Sequence, residues 1–441
     1  MKPPFESEKH ALSDLFHAAS KVLLGDVAAE GPVRDLLAHL DYLNGTAAQE
    51  SSRAALLRNA AMFHRIFSLE SPDAPGLVAL GAEVDPASAG GPPGPPGSVS
   101  GTGVTFQRAF EACVGEGVEY VSQFATPADT TMHVTADEAL AAASPGLRTL
   151  WTSLRPHRRN TDVARTAWVA AADLGDGGPV WLPADICLRR PGEQREISVP
   201  WPLSTGCGAG PDHLAATLHG LLELIERDAV ALWWRGGVRG HLVPHGVGAS
   251  LLTRLRGDAI GRRTWLLDIT SDIGVPVVVA ASCGDDGYGL SCGSAARPTL
   301  TRAAEAALME MAQMELAFRI TEAKREVRGD SALNDVDQHH IRRFTSVSVR
   351  DTPALHPLAP PAAARDLPAD DNLALLAALR GRLDSAGLTP CALNLTRAAL
   401  GVPVVRVVCP GLEMGMTSEP GPRLAAAAAR TGADPLRVPP L

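Results

Sequence analysis

The chain has no surplus of positive charge. Its 40 lysines and arginines face 49 aspartates and glutamates, for a formal net charge of −9. That balance gives no support for a nucleic-acid footprint. Aromatic residues are scarce, at 4%. Long apolar runs are missing too: the most apolar short stretch, 275–283, is far below the roughly 20 residues that cross a bilayer. The opening MKPPFESEKHALSDL has no apolar run after its first lysine, so it does not read as a signal peptide. These absences indicate a soluble, cytoplasmic protein with neither membrane nor nucleic acid as partner. The seven cysteines are odd in number and scattered, with no close CxxC pair. That excludes a complete disulfide framework and gives no zinc pattern, so they read as small buried hydrophobes. No GK[ST] follows a glycine loop at P-loop spacing, and no GxGxxG opens a helix, which argues against a conventional Rossmann site.

What is present is turn chemistry and mixed periodicity. The 441 residues include 42 glycines and 35 prolines, with 45% hydrophobic and 20% charged residues, as in ordinary globular domains. Three segments are expected: an N-terminal helical region over 1–80, a Pro/Gly-rich linker over 81–99, and a catalytic domain over 100–441. GGPPGPPG in the linker excludes helix and central strand there. Strand-like runs come in pairs: 166–174 with 179–189, 264–269 with 275–282, and 388–396 with 401–413. Mixed with long helical patterns, they indicate an α+β or mixed α/β fold with mixed sheets.

One plan recurs three times: small residues, then a helix bearing acidic residues. SGTG from Ser100 precedes GEGVEY, STGCGAG from Ser204 precedes LLELIERD, and SCGSAA from Ser291 precedes ALMEMAQ. The interval from Ser204 to Glu223 equals that from Ser291 to Glu310, and Glu226 then matches Gln313. His219, Glu223 and Glu226 share one helix face, and Glu116 with Glu119 repeats the i, i+3 carboxylate pair. Like charges at this spacing need something positive, and either Arg227 or a divalent cation serves. Four carboxylates from two helices make an all-oxygen donor set of the kind Mg2+ takes beside nucleotide phosphates. The small-residue leaders expose backbone N–H groups that suit an anion ahead of a helix.

These blocks resemble the YcaO family of ATP-dependent peptide-backbone-modifying enzymes. The likeness is carried by STGCGAG…LLELIERDAVALWW, SGTG…GEGVEY, NTDVARTAWVAAADL, DITSDIGVPVVVA, ALMEMAQ and NLTRAALGVPVVRVVCPGLE, and it covers roughly residues 90–441. It implies a YcaO-like fold with ATP between glutamate-bearing helices. It implies Mg2+ at Glu116, Glu119, Glu223 and Glu226, with Glu310 and Leu441 joining Glu223 and Glu226 in catalysis. Ser100, Thr102, Arg108, Ser204, His219, Arg302, Glu310 and Gln313 become the nucleotide-side residues.

The implied chemistry is phosphorylation of a backbone amide oxygen after a nucleophile attacks its carbonyl carbon. Cys, Ser or Thr side chains of a ribosomally made precursor peptide then give thiazoline or oxazoline. External sulfide gives a thioamide, and an amine closes an amidine. A non-catalytic scaffold subunit is the remaining reading. The resemblance further implies a separate leader-peptide-recognition partner, and it is compatible with a pathway dehydrogenase and a homodimer. Two departures touch the nucleotide: Thr102 stands where the family commonly has lysine, and Ala306 where it often has arginine. Arg108 and Arg302 are the expected substitutes. The ending ADPLRVPPL is an imperfect form of the alternating proline tail of azoline-forming members, and it is expected beside the catalytic cleft.

Overall fold

A computed structural model describes residues 5–25, 31–141, 143–157, 165–259, 261–359, 366–415 and 419–437. The chain divides into two units: Met1–Leu69, Val78–Leu221 and Thr389–Pro410 form the first, and Glu70–Leu77, Leu222–Leu388 and Gly411–Leu441 the second.

In the first unit, helices Phe5–Leu23, Gly31–His39 and Ala47–Met62 are followed by an antiparallel sheet of Arg65–Leu69, Val78–Val84 and Gly97–Gly103. This corrects the expected domain limits. The segment expected as a linker over 81–99 supplies parts of two paired strands, with Gly81 opposite Ser100 and Val84 opposite Gly97. The helical region also packs into the same unit. Phe16 stacks on Phe110 at 4.7 Å, and Tyr42 meets that ring edge-on at 6.2 Å. Glycine and proline content misleads here because the Pro/Gly-rich residues fill the turn between the two strands, and the strand glycines are selected by close packing.

The second sheet of this unit runs Thr131–Val134, Thr166–Asp173, Cys391–Asn394, Val404–Val408, Cys207–Ala209, with Pro179–Pro183 paired to Thr166–Asp173. The second unit holds the sheet His241–Leu242, Arg263–Asp268, Val277–Cys283, Ser291–Ala296. All three expected strand pairs form, but the run expected as strand over 179–189 is strand only over Pro179–Pro183 and turns helical at Ala184–Cys187. Every ladder between the named strands of these sheets is antiparallel, where mixed sheets were expected. No helix among the described residues is long and apolar enough to cross a membrane.

Each leader is a strand that turns into a helix lying on it. Gly97–Gly103 leads into Phe106–Ser122, Cys207–Ala209 into His213–Trp234, and Ser291–Ala296 into Leu300–Arg328. Thr105 and Thr299 cap two of these helices, accepting from the N–H of Arg108 and Arg302, which ties down donors the first turn leaves unpaired. One glycine in each strand lets helix and strand backbones touch. A Cβ on Gly101 would lie 2.0 Å from the Cys113 nitrogen, on Gly208 2.5 Å from the Ala216 oxygen, and on Gly293 2.1 Å from the Met311 nitrogen. Gly101→Ala is therefore expected to force strand and helix apart and cost about 1–3 kcal/mol, read as a lower urea midpoint. An unchanged midpoint would show that the contact is slack.

Candidate functional site

The close strand–helix contact places a carboxylate beside the strand's own backbone. Glu116 accepts the Ser100 N–H at 3.2 Å, and Glu310 accepts the Ser294 N–H at 3.0 Å, each sixteen residues along the chain. Cys207 and Glu223 have the same interval. The three leaders thus share one register. The residues at the strand positions are Ser100, Cys207 and Ser294, so in the third copy Ser294, not Ser291, holds the register position opposite the helix carboxylate. Ser291 itself is fully buried, and its hydroxyl has no hydrogen-bond partner among the described residues.

In the second unit the carboxylates converge. Glu226 is buried and accepts the Ser294 hydroxyl at 2.7 Å and the Ala296 N–H at 3.3 Å. Glu310 reaches the backbone of the same serine. Burial, then the Glu226 charge, pushes the Glu310 carboxyl up to about 7. Arg227 answers this negative charge. It contacts Glu223 at 3.4 Å; burial works against its charge, but Glu226, Glu223 and Glu310 outweigh it and raise its pKa. Gln313 lies half-buried one turn beyond Glu310.

In the first unit Glu116 presents exposed surface while sitting among crowded neighbours, and that burial pushes its carboxyl up to about 7 against the lowering effect of the Ser100 N–H. Glu119 is half-buried one turn on, as is Thr102 on the leader strand. A cavity of about 590 Å³ opens nearby in this unit, lined by Arg108, Glu111, Ala209, Gly210, His219 and Ser51. The His219 Nδ1–H donates to the Ala209 carbonyl at 2.8 Å, which leaves Nε2 as the acceptor of the neutral ring. Ser204 is exposed at the turn, where its carbonyl accepts the Cys207 N–H at 3.0 Å.

Of the two expected substitutes, Arg108 for the leader lysine and Arg302 for the third-helix arginine, Arg302 is committed elsewhere: it donates to the Ala369 carbonyl at 2.6 Å and to Asp370 at 2.9 Å. Arg108 is largely exposed, 3.9 Å from Glu111. Arg108→Met is therefore expected to raise the apparent KM for ATP, while Arg302→Met leaves it unchanged. Equal effects would reject this division. Leu441 lies outside the described residues, as do residues 438–440 of the expected tail. The visible end is in the second unit, where Arg235 Nε donates to the Pro435 carbonyl at 3.1 Å.

All seven cysteines are buried and free. Cys207 receives a hydrogen bond from Arg406 at 3.2 Å, so it serves as a small packed residue. Arg406 went unrecognised in the sequence because it sits inside an apolar strand, where an isolated charge is the only signal.

Each unit taken by itself offers carboxylate oxygens of the kind Mg2+ takes, and each holds one carboxyl pushed up to about 7, Glu116 in the first and Glu310 in the second, which a cation would return to full charge. Among the described residues no three such side chains already stand at metal-binding spacing. Mg2+ tolerates this, since it takes one or two carboxylates and completes its shell with phosphate oxygens and water.

The family model for YcaO cyclodehydratase, ATP- and Mg2+-binding, matches residues 100–413. The chain belongs to the YcaO family of ATP- and Mg2+-binding enzymes. Its fold is similar to a heterocyclase solved in complex with substrate and cofactor, with TM-score 0.67 and 21% identity over 90% of this chain and 56% of that one. It is also similar to YcaO from Methanopyrus kandleri bound with AMPPCP and Mg2+, with TM-score 0.58 and 21% identity over 83% of this chain and 91% of that one. A curated relative, an uncharacterized protein in the tfuA 3' region of Rhizobium leguminosarum bv. trifolii, is 27% identical over 49% of this chain and 54% of its own length. The chain thus spans about half the length of that relative and of the heterocyclase.

Proposed function

We propose that the protein activates a backbone amide of a ribosomally made peptide by ATP- and Mg2+-dependent phosphorylation of the amide oxygen. The observation that carries this is the repeated carboxylate register: Glu116, Glu223 and Glu310 at one position of three leader helices, with Glu119 and Glu226 one turn on. Bound ATP with Mg2+ supplies the phosphoryl group that makes the amide oxygen a leaving group. Glu223, Glu226, Glu116 and Glu119 are the proposed metal-side oxygens, and their meeting in one assembly is part of the proposal. Glu226 and Glu310 hold Ser294 and its strand in place. Arg227 offsets carboxylate repulsion and stays charged through the reaction. Arg108 and His219 stand on the cavity wall, the first as a cation for phosphate and the second with Nε2 open to a polar group. No enzyme nucleophile is needed, which accords with seven buried thiols.

The attacking group divides the readings. External sulfide, giving a thioamide, is favoured by the non-alternating tail prolines Pro435, Pro439 and Pro440, which depart from the azoline-forming pattern, and by a curated relative named for its place beside tfuA rather than as a heterocyclase. Ring closure by a peptide Cys, Ser or Thr is the second reading, supported by the block ending VVCPGLE. Mass spectrometry of a precursor peptide incubated with the protein, its leader-recognition partner, ATP and sulfide separates them. Exchange of oxygen for sulfur supports the first, loss of one water per ring the second, and an unmodified peptide with no ATP consumed rejects both.

The tail gives a further expected result. From Pro435 six residues reach about 20 Å when extended, while Arg235 and Glu226 are about 14 Å apart along their helix. Deleting residues 438–441 is expected to slow peptide modification at least tenfold while leaving the melting temperature unchanged. An unaltered rate would remove Leu441 from the catalytic group.

A further inference from the structure

Several arginines with little exposed side chain sit on carboxylates: Arg256 and Arg262 on Glu315, Arg397 on Asp129, Arg423 on Asp228. A group of three in the first unit differs from these. Arg406 is fully buried on strand Val404–Val408 and donates only to the Leu203 and Thr205 carbonyls and to Cys207 Sγ, with its Nε left without a partner. Arg189 lies over the Tyr120 and Phe124 rings at 5.4 and 5.9 Å and donates Nε to the Gln123 side chain at 2.8 Å. Arg195 donates Nε to the Arg190 carbonyl at 2.9 Å. None of the three has an acidic partner among the described residues.

Two carboxylates of this segment, Asp185 and Glu196, are already occupied. Asp185 takes Arg190 at 3.0 Å and the N–H groups of Glu196 and Ile197, and Glu196 takes Arg190 at 3.1 Å and His133 at 3.3 Å. Arg189 and Arg195 open instead on a cavity of about 350 Å³, walled by His157, Ile197, Trp201 and Leu203. No acidic residue lines it among the described residues. Leu203, whose carbonyl Arg406 holds, places that third cation directly behind the wall. Arg189 is lowered first by burial and further by the neighbouring charges of Arg406 and Arg195. Clustered like charges without counter-ions raise the free energy of the empty site, and an entering anion relieves it.

We propose that this cavity is an anion subsite that receives an acidic side chain of the substrate peptide, with Arg189 and Arg195 as its ligands. The proposal rests on the peptide-substrate reading above and adds a preference within that substrate class. The walls favour a peptide over a nucleotide. Trp201, Ile197 and Leu203 give apolar surface to flanking residues, and Ile197–Ser198 is already in extended pairing with Arg155–Pro156. Guanidinium groups suit a carboxylate because they match its planar pair of oxygens.

The test is binding of dye-labelled tetraglutamate to the full chain without ATP, followed by fluorescence anisotropy, with labelled tetraglutamine as the uncharged control. Tetraglutamate is expected to bind at least tenfold more tightly than tetraglutamine. Arg195→Gln, at an exposed position that leaves folding untouched, is expected to reduce tetraglutamate affinity about tenfold or more. Arg189→Gln is expected to do the same. Equal binding of the two probes, or unchanged affinity in Arg195→Gln, overturns the proposal. Displacement by inorganic phosphate or ATP as effective as by unlabelled tetraglutamate also overturns it, by making this a phosphate site. Because the assay requires no turnover, it fails or succeeds separately from the amide-activation reading.

Discussion

Glu226→Gln is expected to lower ATP consumption about 100-fold or more, the scale seen when one oriented electrostatic contact is removed from an active site. The substitution isolates charge from shape. Gln fills the same volume, its oxygen still accepts the Ala296 N–H, and its amide turns toward the Ser294 hydroxyl. What disappears is one negative charge in a site where Arg227 is held by Glu226, Glu223 and Glu310 together. In the mutant, Arg227 keeps only Glu223 and Glu310 as counter-charges, and the metal-side donor set loses an anionic oxygen. The melting temperature is expected to stay close to that of the parent, because both hydrogen bonds persist. Turnover within twofold of the parent, with Mg2+ dependence unchanged, would reject Glu226 as part of the site.

The largest stability effect is expected at Glu315. This carboxylate is buried on helix Leu300–Arg328 and receives Arg256 through two nitrogens, at 2.7 and 2.9 Å, Arg262 at 2.8 Å, and the Ser282 hydroxyl. Both guanidinium groups are themselves largely buried. Glu315→Ala leaves two desolvated cations facing an empty site, and breaking a buried pair in this way costs about 3–5 kcal/mol. The loss is read in urea unfolding followed through the second unit's tryptophans. Glu315→Gln, which keeps hydrogen-bond acceptance, is expected to lose less. A Glu315→Ala midpoint within experimental scatter of the parent would mean that water or a neighbouring acid replaces the carboxylate. The network ties Arg256 and strand residue Ser282 to the helix that also carries Glu310, so the same loss should loosen the third leader.

Part of this protein is set by local pattern and was readable as such. The leaders, the carboxylate helices and the three strand pairs are short-range features: alternation marks strands, i, i+3 spacing marks a helix face, and small residues mark close backbone approach. Those intervals single out Glu116, Glu223, Glu226 and Glu310 as candidates, and the combination of blocks gives the family. Tertiary structure decided what depends on distant residues. Gly97–Gly103 is a strand because Val78–Val84 pairs with it and Cys113 and Ala109 pack against Gly101, so residues that look like a linker become paired strand. The third leader's working residue is Ser294 because helix–strand stacking, not serine spacing, sets the register with Glu310. Arg302 is drawn to Asp370, and Arg406 is buried behind Leu203 without an acid. Charge alone could not separate those fates. An arginine's role is set by which carbonyls and carboxylates the fold brings within hydrogen-bond reach, and those partners lie tens to hundreds of residues away along the chain.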